Sequence, residues 1–220
     1  MLPREEYERM LPQLGHVSFS LGEVVYESGG QMSYIYFPTT AIISLLYMME
    51  NGSSAEMGVA GNEGLVGVAL FMGGNTMPNR AVVQSAGGAV RMRAKVLQDE
   101  FGRSGVFQRL LLRYTQALLT QMSQTAVCNR LHTIEQQLCR RLLLSYDRLD
   151  SDELVMTQEL IANMLGVRRE GVTAAAGRLQ EQGLISYVRG HIKILDRRGL
   201  ERAVCECYRV VKDEYDRLLG

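Results

Sequence analysis

No uninterrupted apolar stretch approaches the ~20 residues that a membrane-spanning helix needs, so no membrane association is expected. The opening Met1-Leu2-Pro3-Arg4-Glu5-Glu6 has no apolar segment of the signal-peptide kind, which makes a cytoplasmic location the expectation. Cysteine is scarce. Cys128, Cys139, Cys205 and Cys207 all fall in helical-looking sequence without an export signal, and that argues against a disulfide framework. Cys205-Glu206-Cys207 invites a metal reading, but residues two apart on one helix point about 200° away from each other. No Cys or His neighbour completes a zinc or iron–sulfur spacing, and His16, His132 and His191 have no partners by spacing. Neither a metal nor a cofactor is therefore expected. No nucleophile–base pair stands out, and the glycine-rich 61–74 lacks the lysine and strand-to-helix setting of a P-loop, so an enzyme is not expected.

Net charge is also missing: 24 Lys and Arg balance 24 Asp and Glu. That excludes a chain that is basic throughout, but not one with a local basic face. Residues 1–100 carry 6 basic against 10 acidic side chains, residues 101–150 carry 7 against 3, and 154–198 carry 7 against 4. An acidic front half followed by basic segments is the asymmetry expected when only one part meets phosphate.

What is present divides the chain by pattern. The first hundred residues alternate short β-branched and aromatic runs with glycine-bearing turns. Val24-Val25-Tyr26 precedes Ser28-Gly29-Gly30; Tyr34 to Phe37 precedes Pro38; Ile42 to Leu46 precedes Glu50-Asn51-Gly52; Ala81-Val82-Val83 precedes Ser85-Ala86-Gly87-Gly88. Short strands at this spacing predict a small barrel or roll, with a leading helix over 4–11 closed by Pro12 and Gly15. A short helix is predicted from Lys95 to Phe101, ending at Gly102.

From about Ser104 to Asn129 there is no proline and, after Gly105, no glycine. Phe107, Leu111, Tyr114, Leu118 and Met122 recur every three or four positions and give one stripe, with Thr125 continuing it. Such a stripe either packs onto its own roll or pairs with a second copy. Length favours pairing, since ~26 residues at 1.5 Å each span roughly 39 Å, more than one small domain covers. A further helix is predicted from about Leu131 to Leu149, and Ser151-Asp152 reads as a break.

The most informative stretch runs from Met156 to Leu179. Thr157 can cap a helix that buries Leu160, Ile161, Met164 and Leu165. Gly166 supplies a sharp turn, and a second helix starting near Arg168 buries Val172, Ala175, Ala176 and Leu179. Two short helices, a glycine turn and a small-residue contact face are the helix-turn-helix layout, whose second helix enters the major groove by its N-terminal residues. Arg168, Arg169, Glu170, Thr173 and Ala174 are left on that face. Arginine can donate two bonds to guanine and glutamate can accept from cytosine. Beyond Gly183, two β runs flank Arg189-Gly190 and form a wing, with Arg189, His191 and Lys193 available to phosphate. Thr157, Gln158 and Arg178 complete the expected DNA-facing set.

On these residues the sequence resembles the CRP/FNR superfamily of regulators, and the likeness covers nearly the whole chain. Arg169-Glu170 occupy the family's base-reading positions. The resemblance implies an α+β fold in three parts: a cyclic-nucleotide-binding-like β-roll over 1–102, a dimerisation helix over 103–130, and a winged helix-turn-helix over 131–220. It also implies double-stranded DNA, a second copy of the chain and RNA polymerase as partners, together with a small-molecule effector at the roll. Gly61 to Gly67 and Asn79 to Val83 fall where the family's ligand segment would be, which makes Glu63 and Arg80 the ligand candidates. Cyclic-nucleotide binders place a Gly-Glu pair before a short helix, followed by Arg-Ser/Thr-Ala. Here Glu63 precedes glycine and Arg80 has no hydroxyl neighbour, so Arg80 is expected in a structural ion pair with Glu63 rather than on cAMP. Ala174 stands where relatives often carry another DNA-contacting arginine. The reading from a different class is a cyclic-nucleotide-binding adaptor whose C-terminal helices contact only protein.

Overall fold

A computed structural model of the chain describes residues 2–149 and 153–220. The expected break at Ser151-Asp152 lies outside the described residues. The elements are α1 (Arg4–Met10), β1 (Leu14–Phe19), β2 (Val24–Tyr26), β3 (Tyr34–Pro38), β4 (Ile42–Met48), β5 (Ser54–Ala60), β6 (Arg80–Ser85), β7 (Gly87–Arg93) and α2 (Ala94–Gly102). They continue with α3 (Val106–Leu131), α4 (Ile134–Tyr146), β8 (Glu153–Val155), α5 (Gln158–Leu165), α6 (Arg169–Glu181), β9 (Ile185–Val188), β10 (His191–Ile194), α7 (Arg197–Ala203) and α8 (Cys207–Leu219). Among the described residues no helix is long and apolar enough to cross a membrane.

The chain forms two compact units. One comprises 1–45, 59–119 and 214–220; the other comprises 46–58 and 120–213. The β-roll consists of a three-stranded sheet ordered β1-β7-β3 and a four-stranded sheet ordered β2-β6-β4-β5. Ile35, Ile42, Ile43, Ala81, Val83, Ala89 and Met92 are buried, and β4 is buried along its whole first half from Ile42 to Leu45. Gly87-Gly88, expected as a turn, instead opens β7 and pairs with Phe19 and Ser18 of β1. A Cβ on Gly87 would lie 2.5 Å from the Ala41 nitrogen, so glycine is there for close backbone approach rather than for a turn.

The stripe on α3 goes to its own chain. Phe107, Leu111, Tyr114, Leu118 and Thr125, expected in a dimer seam, are buried within the single chain. In the first unit Tyr114 donates from its hydroxyl to the Leu65 carbonyl at 2.8 Å and meets Tyr215 edge-on. Glu6 accepts from the free backbone N–H groups of Val106 and Phe107 at 3.0 and 2.9 Å, which caps the start of α3 and holds its carboxyl below the usual range. Only Met122 of the expected set stays half-exposed. The glycine-rich 61–67 seats this helix: a Cβ on Gly64 would lie 2.4 Å from the Tyr114 ring. Gly64→Ala is therefore expected to cost about 1–3 kcal/mol by overpacking. Thermal melts should show the loss, while Gly102→Ala, whose Cβ meets nothing, stays near wild type. Equal melting of the two variants would refute the seating role.

Candidate nucleic-acid interface

Thr157 caps α5, its hydroxyl accepting from Leu160 N–H at 3.1 Å. Gly166 ends α5 at φ 65°, a left-handed conformation that carries no Cβ penalty only for glycine. Helix α6 starts at once, with Arg168 extended just before it. Val172, Ala175, Ala176 and Leu179 are buried, and the small alanines let α6 lie close to α4 and α5. The opposite face is left open: Arg168, Arg169, Glu170, Thr173 and Ala174 are all exposed. The Thr173 hydroxyl donates to the Gln158 side-chain oxygen at 2.8 Å, locking the start of α5 to the outward face of α6.

The wing is a sheet ordered β8-β10-β9, one strand more than the sequence suggested. Its turn has Arg189 at φ 51° and Gly190 at φ 88°, the two positive values of a tight hairpin. Arg189 and Lys193 are exposed. Gly190 sits beside Thr157, with a Cβ there 3.7 Å from the threonine methyl. The Tyr187 hydroxyl donates to the Met156 carbonyl at 2.8 Å, and burial pushes that phenol up to about 12. Thr157, Gln158, the start of α6 and the wing turn are thus gathered on one face of the second unit.

Two of the expected basic DNA-facing side chains are paired on the surface with carboxylates of the same chain. Arg178 binds Glu135 of α4 at 2.6 Å, and Gln182 reaches the same carboxylate at 3.4 Å. His191 Nδ1 lies 2.7 Å from Glu153 of β8. Neither partner was visible in the sequence, because each lies tens of residues away. In the roll, Arg80 pairs with Glu27 at 3.0 Å. Asn79 donates to the Tyr26 hydroxyl at 2.7 Å. A cleft of roughly 310 Å³ opens nearby, lined by Tyr26, Glu27, Met32, Tyr34 and Tyr36.

Two exposed apolar residues of α3, Leu112 and Leu119, lie off the stripe read in the sequence. Leu112 and Leu119 are 49% and 58% exposed, and Thr115, Met122 and Ala126 share their face. The steps 112, 115, 119, 122, 126 alternate three and four residues, the heptad spacing of a helix pair.

Residues 136–203 match the Crp-like helix-turn-helix domain. A search of curated proteins gives no match. Among solved structures, the chain is similar to FixK2 from Bradyrhizobium japonicum, with a TM-score of 0.73 at 17% identity over 87% of this chain and 98% of that one. It is similar to a CRP/FNR-family transcriptional regulator from Thermus thermophilus, with a TM-score of 0.65 at 21% identity over 86% and 97% of the two chains. It is also similar to the c-di-GMP-responsive global regulator CLP of Xanthomonas campestris, with a TM-score of 0.66 at 15% identity over 88% and 100%. These likenesses show the fold: a β-roll followed along the chain by a helix-turn-helix.

Proposed function

We propose that this chain, a Crp-like helix-turn-helix domain joined to a β-roll of the CRP/FNR fold, is a homodimeric transcriptional regulator that reads a palindromic DNA site. The observation that carries the reading is the exposed Arg168-Arg169-Glu170 end of α6, flanked by Arg189 and Lys193 of the wing. A helix offering arginine and glutamate from its first turn suits the major groove, where arginine reads guanine and glutamate reads cytosine. Arg189 and Lys193 suit the flanking phosphates. Selection from random duplex DNA tests this directly. An inverted repeat with half-sites about one helical turn apart is the expected result, and no enrichment overturns it.

Dimerisation through Leu112, Thr115, Leu119, Met122 and Ala126 would bring two recognition helices to the two half-sites. Leu119→Ala removes one apolar side chain from each copy and is expected to weaken the dimer at least about tenfold in sedimentation experiments. Leu111→Ala, on the buried face, should lower stability instead. A dimer indifferent to Leu119→Ala would move the interface elsewhere. A signal at the roll would act by changing the spacing of the two α6 helices, with 129–131 as the hinge. RNA polymerase is the further partner that a dimer bound beside a promoter would meet. Arg80, paired with Glu27, is not preset for a cyclic phosphate. Calorimetry with cyclic mono- and dinucleotides is expected to show no tight cAMP binding, and tight binding would favour the nucleotide-sensing adaptor.

A further inference from the structure

Sequence spacing leaves the cysteines without partners, yet folding brings three of them together with a histidine. Cys128 lies on the last turns of α3, and His132 follows one turn later, just past the helix end. Cys205 is not helical: α7 stops at Ala203 and α8 starts at Cys207, so Cys205 sits in the link between them. The divergence expected for two cysteines on one helix therefore does not apply. All four belong to the second unit. Cys128, Cys205 and Cys207 are 0%, 4% and 1% exposed, and none is in a disulfide.

The four ligand atoms lie within 4.8 Å of one another. Cys128 Sγ and Cys205 Sγ are 3.6 Å apart, as are Cys207 Sγ and His132 Nδ1. Around a tetrahedral ion with metal–sulfur bonds near 2.3 Å and a metal–nitrogen bond near 2.0 Å, sulfur pairs stand about 3.8 Å apart and sulfur–nitrogen pairs about 3.5 Å. Both of these separations fit ligands of one ion, and the remaining pairs lie within 4.8 Å. An iron–sulfur cluster binds its ligands through different irons and so needs them further apart. A disulfide would use two sulfurs and leave the other two groups without a role.

The surroundings complete a metal site. His132 turns Nδ1 to the cysteines, while Nε2 lies 3.4 Å from the Glu206 carboxylate, the arrangement that fixes the tautomer of a ligating imidazole. The buried Gln137 amide donates to the carbonyls of His132 and Cys128 at 2.9 and 3.4 Å and so holds the turn that carries both. Arg140 is only 5% exposed, and its guanidinium donates to the Thr125 hydroxyl at 3.2 Å. Among the described residues it has no carboxylate within ion-pair distance. A buried guanidinium needs a counter-charge. A dication held by three thiolates and a neutral imidazole carries a net charge of minus one and would supply it. A cleft of roughly 530 Å³, lined by Val204, Cys205, Glu206 and Tyr208, gives an ion its way in.

We propose that Cys128, His132, Cys205 and Cys207 bind a single structural zinc ion that fastens the end of α3 to the link between α7 and α8. Binding releases the three thiol protons and involves no redox change. A full set of four protein ligands leaves no open position, so the role is structural rather than catalytic. The proposal is independent of DNA recognition, since metal content can be measured whether or not the protein binds a duplex.

Elemental analysis of the reduced full-length protein, purified without chelator, is expected to give about one zinc per chain. Cys205→Ser combined with Cys207→Ser should lose it, whereas Cys139→Ser, altering the cysteine outside the cluster, should keep it. Should the double variant fail to fold, Glu206→Gln serves instead, because that side chain is 75% exposed. It is expected to yield zinc to a competing chelator 10- to 100-fold more readily. Cobalt(II) added to the metal-free reduced protein should give the absorption of a tetrahedral thiolate complex. The proposal is overturned by protein that purifies metal-free and gives no cobalt spectrum, by stoichiometric iron in place of zinc, or by zinc that neither the double variant nor Glu206→Gln disturbs.

Discussion

Glu56→Gln is expected to destabilise the protein by about 3–5 kcal/mol, the usual consequence of removing one partner from a buried ion pair. Glu56 of β5 and Arg141 of α4 belong to the same compact unit, and their side chains are 8% and 4% exposed. The guanidinium engages both carboxylate oxygens and also donates to the Met164 sulfur of α5 at 3.3 Å. With the carboxylate gone, Arg141 keeps its charge in a place that water does not reach. A chain of this size loses roughly 2–4 °C of melting temperature per kcal/mol, so the transition should fall by about 6–20 °C. Glu56→Gln combined with Arg141→Met should recover most of the loss, because no unpaired charge is then left buried. A single variant that melts within about 2 °C of wild type would show that the pair contributes nothing net.

The second large effect concerns DNA. Arg169→Ala is expected to cost about 1–3 kcal/mol per half-site, or roughly 5- to 150-fold in affinity, and to relax the preference at one base pair in each half. The dimer presents the residue twice, so a full palindrome should show both losses. Lys193→Ala is expected to behave differently. A phosphate contact weakens every sequence alike, and its removal should flatten the salt dependence by about one unit of slope. Quantitative binding at several salt concentrations, on the selected site and on its single-base variants, separates the two patterns. If Arg169→Ala weakened all duplexes equally, the residue would be a phosphate contact and the first turn of α6 would not read bases. Arg178→Ala supplies a control, since Arg178 is occupied by Glu135. Its loss should appear in stability before it appears in specificity.

The sequence by itself determined the elements whose cause is local. The caps at Thr157 and Gly166, the alanine face of α6, the positive-φ wing turn at Arg189-Gly190 and the unbroken run of α3 all depend on neighbours within a turn or two. The helix-turn-helix was therefore legible, and so was the exposed Arg169-Glu170 end that carries the functional reading. Tertiary structure alone decided which face of each element is taken. Phe107, Leu111, Tyr114 and Leu118 have the right period for a dimer seam, but period does not say what a stripe meets. Gly64 offers the space that draws Tyr114 onto the roll and leaves Leu112 and Leu119 outside. The partners of Arg178, His191 and Arg141, and the meeting of Cys128 and His132 with Cys205 and Cys207, join residues 23 to 85 positions apart. Such contacts follow from where whole elements come to rest, and no spacing within a short window encodes them.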